Sequence, residues 1–117
     1  MLIVEDSLDT LTLLRTFFEQ KGSQVIAATS GEEALIFAAT SPPAIIISDI
    51  GMPGIDGYQL LAELRRLPGL ERVPAIAISG YAMEEDRERA VRAGFTAHVA
   101  KPIDIDNLFE LIQTLTG

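Results

Sequence analysis

The chain has no cysteine, which removes disulfides, thiolate zinc sites and cysteine nucleophiles together. It has a single histidine, His98, so a metal site assembled here has to draw mainly on oxygen. No apolar run approaches the length needed to cross a bilayer, and no signal-peptide pattern opens the chain. Internal repeats, linkers and low-complexity segments are also missing. Basic residues are scarce: 9 Lys and Arg stand against 17 Asp and Glu, a formal charge of −8. Such a surface repels phosphate backbones and anionic lipids, so neither direct nucleic-acid binding nor membrane contact is expected of this domain. The absence of cysteine and of a signal-peptide pattern fits the cytoplasm. What remains is 117 residues, 48% of them hydrophobic, enough for one domain over residues 1–117 with a real core. The abrupt opening at Met1 and the stop at Gly117 after an amphipathic stretch raise the expectation of a larger parent protein.

Short apolar runs rich in Ile, Val and Ala occur at residues 2–4, 24–28, 44–48, 74–79 and 97–100. Stretches with helical spacing lie between them. Leu11, Leu14 and Phe18 share one face and stop at Lys21-Gly22. Ser30 with Glu33 reads as a capping box. Leu60, Leu61, Leu64 and Leu67 form a stripe that halts at Pro68, with Asp56 as its N-cap. The segment EEDRERAVRA offers Glu85–Arg89 and Glu88–Arg92 pairs at i, i+4. Its entry, GYAM, has no good N-cap, so a loosely held first turn is expected. A last helix starts near Asp104 and presents Leu108, Leu111, Ile112 and Leu115 to the core. Five strand–helix units with continuous apolar strands predict a parallel α/β sheet covered on both faces, a flavodoxin-like doubly wound fold. The order 2-1-3-4-5 places the two weakest strands at the edges.

Ligand sites in such sheets lie beyond the carboxyl ends of the strands. Those ends carry Glu5-Asp6, Asp49, Ser79 and Lys101-Pro102, while the second strand ends in nothing chemical. Three carboxylates, a hydroxyl and an ammonium are thus predicted in one cleft. At an effective dielectric of about 20, each close carboxylate pair costs on the order of 3–4 kcal/mol if both stay ionised. One lysine cannot cancel three charges, but a hard divalent cation can, and oxygen ligands favour Mg²⁺ or Mn²⁺ over zinc. Such a set suits phosphoryl transfer, with Asp49 as a carboxylate nucleophile that yields an acyl phosphate. Ser79 and Lys101 would each hold a phosphoryl oxygen, and Gly51 would offer its carbonyl to the cation. The glycines of GMPG are expected to let the backbone approach Asp49 closely.

LIVED at the start, DIGMPGIDGY in the middle, AISG after the fourth strand and KPID near the end together resemble the receiver domain of bacterial two-component response regulators. The resemblance spans essentially the whole chain. It implies that Asp49 is the phospho-acceptor, taking its group from a phosphohistidine of a sensor histidine kinase or a phosphotransfer domain. It implies that Asp6 binds Mg²⁺ directly, Glu5 through water and Gly51 through its carbonyl. Ser79 becomes the switch hydroxyl, and Lys101 the phosphate-contacting lysine before a cis proline, Pro102. Two residues depart from the family pattern. Glu5-Asp6 replaces the frequent Asp-Asp, and His98 stands three before the lysine, where Tyr or Phe is frequent. An imidazole there puts a titratable ring at the switch position.

Each feature also has a plainer reading. Asp49 alone is a turn-former, Ser79 a helix cap and Lys101 a surface lysine; only their company at the strand ends gives them chemistry. Tyr81 reads as an exposed loop aromatic before it reads as a shield for the phosphoryl group. Three rival functions share parts of this pattern. A phosphatase of the haloacid dehalogenase type needs a second acid two residues after its nucleophile, where this chain has Gly51. A flavodoxin-like cofactor binder needs a neutral phosphate loop where this chain has EDSLD. A receiver-like interaction module that is never phosphorylated is the remaining alternative. The preferred reading is a phosphorylation-activated switch in a phosphorelay that catalyses only its own phosphorylation and hydrolysis. Its changed face, around the fourth helix, fifth strand and fifth helix, would engage a downstream effector domain or protein, or drive a phosphorylation-dependent dimer. A stand-alone receiver, a transcriptional regulator and a hybrid histidine kinase stay open as parents, and the segment from Ile78 to Asp104 looks most like receivers of hybrid kinases.

Overall fold

In the computed structural model, residues 1–80 and 84–116 are described, without the side chains of residues 84 and 85. The elements alternate as β1 (Leu2–Val4), α1 (Leu8–Gln20), β2 (Ile26–Ala28), α2 (Gly31–Thr40), β3 (Ile46–Asp49), α3 (Gly57–Leu64), β4 (Ala75–Ser79), α4 (Glu84–Arg92), β5 (Ala97–Ala100) and α5 (Ile105–Thr116). All five strands are parallel in the order β2-β1-β3-β4-β5, as the apolar pattern predicts.

The period-2 alternation of the strands sorts the core into two layers. Leu2, Val4, Ile46, Ala75 and Ala77 point toward Leu60, Leu61, Leu64, Ala34 and Ala38 of α3 and α2. Ile3, Ile47, Ile76 and Ile78 point the other way, toward Leu11, Leu14 and Phe18 of α1 and Leu108 and Ile112 of α5. The alanines of β4 let α3 and the end of α4 sit close, whereas the isoleucines behind them fill the wider layer. Each fully buried Leu, Ile or Phe stabilises this arrangement by roughly 1.5–3 kcal/mol before its ordering entropy is counted.

Helix ends follow local chemistry, with three differences from the sequence reading. Helix α1 ends as expected: Ser23 N–H donates to Phe18 O and Gly22 N–H to Glu19 O, and Gly22 takes φ 92°, which only glycine adopts freely. At α2, Ser30 caps through Glu33 N–H, but the Glu33 carboxylate turns to the Thr29 N–H and hydroxyl, so the reciprocal box does not close. The reciprocal box instead forms at α3, between Asp56 and Gln59. Helix α3 stops at Leu64 rather than running to Leu67. Arg66 and Leu67 donate to Glu63 and Leu64, a tightened turn, because the residue before Pro68 is pushed out of helical backbone. On α4, Glu88 and Arg92 make no ion pair among the described residues, and Arg89 lies over the Tyr58 ring at 4.2 Å. Glu85–Arg89 pairing, Tyr81 and the expected loose turn at GYAM lie outside the described residues.

Arg65, just past α3, ties together segments distant in sequence. Its guanidinium donates to Leu70 O, Val73 O and Gly94 O, and so joins the turn before β4 to the turn after α4. A single ammonium cannot span those acceptors. Arg65→Ala is expected to lower unfolding free energy by about 2 kcal/mol, with Arg65→Lys recovering less than half of it, as measured by urea melts.

Candidate phosphoryl-acceptor site

The β1–β3 register pairs Val4 with Ser48, so Glu5 and Asp49 are next neighbours at the ends of two central strands. The β4–β5 register pairs Ser79 with Ala100, which places Lys101 just beyond it. Glu5, Asp49 and Ser79 are only 3%, 5% and 2% exposed, whereas Asp6 is open to solvent. The sheet therefore carries polar groups to its carboxyl edge and half encloses them there.

Lys101 Nζ lies 3.1 Å from Asp49 Oδ2 and 3.4 Å from Glu5 Oε1, so one ammonium serves two buried carboxylates. The other Asp49 oxygen, Oδ1, accepts from Gly51 N–H at 3.1 Å. Both oxygens of Asp49 are thereby oriented by the chain itself. The Lys101–Pro102 peptide is cis, as the resemblance implies. Burial pulls the Lys101 ammonium down, but Asp49 and Glu5 more than offset this and hold it above the usual lysine range. Burial, followed by the proximity of Asp49, pushes Glu5 up to about 7, with Lys101 opposing.

One oxygen from each of Glu5, Asp6 and Asp49 lies within 4.8 Å of the others. Three carboxylates against one ammonium leave two negative charges, the charge of a single divalent cation. The donors are all hard oxygens, and Glu5 is under-neutralised as it stands, so the residues present fit Mg²⁺ or Mn²⁺. The Gly51 backbone turns at the same place.

Ser79 Oγ and His98 Nε2 are 3.1 Å apart, so the ring on the edge strand β5 faces the hydroxyl on β4. Burial lowers the imidazole's proton affinity, Arg87 adds to this and Asp86 opposes it. The structure brings Glu5, Asp6, Asp49 and Lys101 together and sets Ser79 beside Gly51, but the close backbone approach expected of the GMPG glycines falls at Gly57. A methyl added at Gly51 meets nothing within 4 Å. One added at Gly57 meets Asp49 O and Ile50 Cα, each at 2.7 Å, where α3 begins and Gly57 N–H donates to Ile50 O. The signal was available as the glycine directly after the Asp56 cap, at a helix start that packs on the backbone of Asp49 and Ile50.

The response regulator receiver domain model matches residues 1–113. The polar-differentiation response regulator DivK of Brucella ovis is 33% identical over 117 residues, all of this chain and 95% of that one. Among solved structures, Vibrio cholerae chemotaxis protein CheY4 superposes with a TM-score of 0.93 at 24% identity, over 97% of this chain and 95% of that one, which supports the fold. The receiver domain of sensor histidine kinase PA1611 from Pseudomonas aeruginosa superposes with a TM-score of 0.89 at 30% identity, over 99% of this chain and 95% of that one. That domain holds a magnesium ion coordinated in its active site cleft.

Two outcomes are expected from this geometry. Because Glu5 binds its proton more tightly folded than at its ordinary 4.5, the folded state holds more protons between there and about 7. Stability of the metal-free domain should therefore fall as pH rises through that window. Glu5→Gln should remove the fall and add about 1–2 kcal/mol at pH ~8, allowing for screening in an open cleft, as read by urea melts in chelator. Gly57→Ala should destabilise the domain by more than about 2 kcal/mol, and Gly51→Ala by less than about 1 kcal/mol, on the same assay.

Proposed function

Because the chain belongs to the response regulator receiver domain family, we propose that it is a phosphorelay switch whose acceptor is Asp49. The observation that carries this reading is the restraint on that carboxylate. It is buried at the end of a central strand, with Lys101 on one oxygen and the Gly51 N–H on the other. The donor is a phosphohistidine of a sensor histidine kinase or phosphotransfer domain. An Asp49 oxygen forms the new bond to phosphorus as the phosphorus–nitrogen bond breaks, and the departing imidazole nitrogen takes up a proton. Lys101 moves its ammonium from carboxylate to phosphoryl oxygen, and Ser79 donates to another. Glu5, Asp6, Asp49 and the Gly51 carbonyl would hold Mg²⁺, which neutralises charge on the transferred group.

An apolar cleft of about 280 Å³ beside Lys101, lined by Leu13, Leu14, Pro102, Ile103 and Ile105, gives the donor protein a surface next to the acceptor. Leu13 stands 63% exposed there. Once phosphorylated, Asp49 carries more charge and new acceptor oxygens, and Ser79 transmits the change to the face of α4, β5 and α5. That face would bind the effector or a second copy of the chain. The likeness to a receiver from a sensor histidine kinase supports a hybrid-kinase parent, and the DivK likeness supports a response regulator. In either setting the domain is a switch and not a turnover enzyme.

Intact mass after incubation with acetyl phosphate and Mg²⁺ tests the reading. The native chain should gain one phosphoryl group, and Asp49→Asn and a chelated sample should gain none. If the native chain gains nothing and beryllofluoride leaves its melting temperature unchanged, the domain is instead an unphosphorylated interaction module.

A further inference from the structure

The sheet ends on one side at β2, which pairs only with β1. Bonded residues alternate along a parallel ladder, and the alternation shows which groups of this strand are already used. Gln24 O accepts from the Met1 ammonium, Ile26 N–H donates to Met1 O, and Ala28 O accepts from Glu5 N–H. Residues 24, 26 and 28 therefore face β1. Val25 and Ala27 turn their N–H and C=O groups outward, and among the described residues nothing bonds to these four groups. Thr29 differs, because the Glu33 carboxylate takes its N–H at 2.7 Å and ends the open stretch.

Sheet edges are ordinarily guarded by charge, proline or a bulge, since an unpaired edge templates another strand. Here the register is unbroken, and residues 22–31 hold neither a charge nor a proline. From Gly22 to Ser48 the only charged residues are Glu32 and Glu33, in a chain with 17 acids and 9 bases. Helix α2 adds apolar surface beside this edge. Gly31, Ala34 and Ala38 are its buried face, and Leu35 lines a groove beside α3. Helical spacing then sends Phe37 to the flank away from α3, out beyond β2, with Ile36 next to it. These two side chains are 36% and 66% exposed.

We propose that the β2 edge and the outer flank of α2 dock a second copy of this chain, with the two β2 strands antiparallel about a two-fold axis at Ile26. In that register Val25 of each copy faces Ala27 of the other. Both pairs exchange N–H···O bonds, and every outward group is used. The two Ile26 side chains meet at the axis on the α2 face, flanked by Phe37 and Ile36 of each copy. The charges favour a second copy as occupant. Molecules of formal charge −8 repel one another, and a neutral flank is where that repulsion is weakest. The donors and acceptors are also self-complementary, so each edge is consumed by the other and the assembly closes at two. The contact lies across the sheet from β5, separate from the α4, β5 and α5 face, and it needs no phosphoryl group.

Sedimentation equilibrium of the unphosphorylated native chain should show a dimer whose fraction rises with concentration. Amide exchange at Val25 and Ala27 should slow as the dimer forms. Ala27→Pro removes an N–H that β1 does not use, and it should weaken association at least about tenfold. Phe37→Glu sets like charges across the axis from an exposed position and should weaken it as much. That variant carries the test alone if circular dichroism shows the proline variant unfolded. Val91→Glu, on exposed surface of α4, should leave association unchanged. A native chain that stays monomeric at millimolar concentration overturns the proposal. So does association that survives Phe37→Glu or is lost with Val91→Glu, and so does exchange at Val25 and Ala27 that ignores concentration.

Discussion

The pairing of β1 with β3, Leu2 opposite Ile46 and Val4 opposite Ser48, is the constraint on which core and site both depend. It places alternate residues of two all-apolar strands in the two helical layers. One step further along, it brings Glu5 and Asp49 side by side at the carboxyl edge of the sheet. A slip of one residue would send every side chain of β3 to the opposite layer and carry Asp49 away from Lys101. The register is strongly specified because both faces are buried, so the charges inherit their placement from the hydrophobic pattern. The adjacent pairings of β3 with β4 and β4 with β5 extend the same logic to Ser79 and Lys101.

This arrangement sets function against stability. Glu5 and Asp49 share a single ammonium and sit among apolar residues, a configuration that a fold built only to last would avoid. The isoleucine and leucine layers on each side carry the opposing free energy, and the under-neutralised carboxylates are left as a standing demand for a cation. The strained electrostatics are therefore part of the site's readiness.

Much of this was legible in the chain because parallel sheets have few degrees of freedom. Apolar runs fix the strands, strand order fixes which ends converge, and the residues Glu5, Asp6, Asp49, Ser79 and Lys101 could be read straight off those ends. The parts that escaped depend on competition between nearby groups. Glu33 had two backbone donors within reach and took Thr29, which added a hydroxyl that Ser30's N–H could not match. Leu67 keeps the apolar spacing of α3 yet leaves the helix because Pro68 constrains it, and it packs against the core from a turn. Gly57 and Gly51 are equal as letters; only the crossing of α3's first residue over the Asp49–Ile50 backbone separates them. Arg65's span to Gly94 is a tertiary contact across 29 positions that carries no local signal.

The bond between Lys101 and Glu5 joins residues 96 positions apart, nearly the two ends of the chain. The site is therefore complete only when the fifth strand is paired beside the fourth, because Lys101 lies just beyond it. β1 and β3 alone bring Glu5 and Asp49 together, yet lack the ammonium that orients them. The charge balance of the cleft is thus a property of the whole sheet, from its first strand to its last, and not of any part of it.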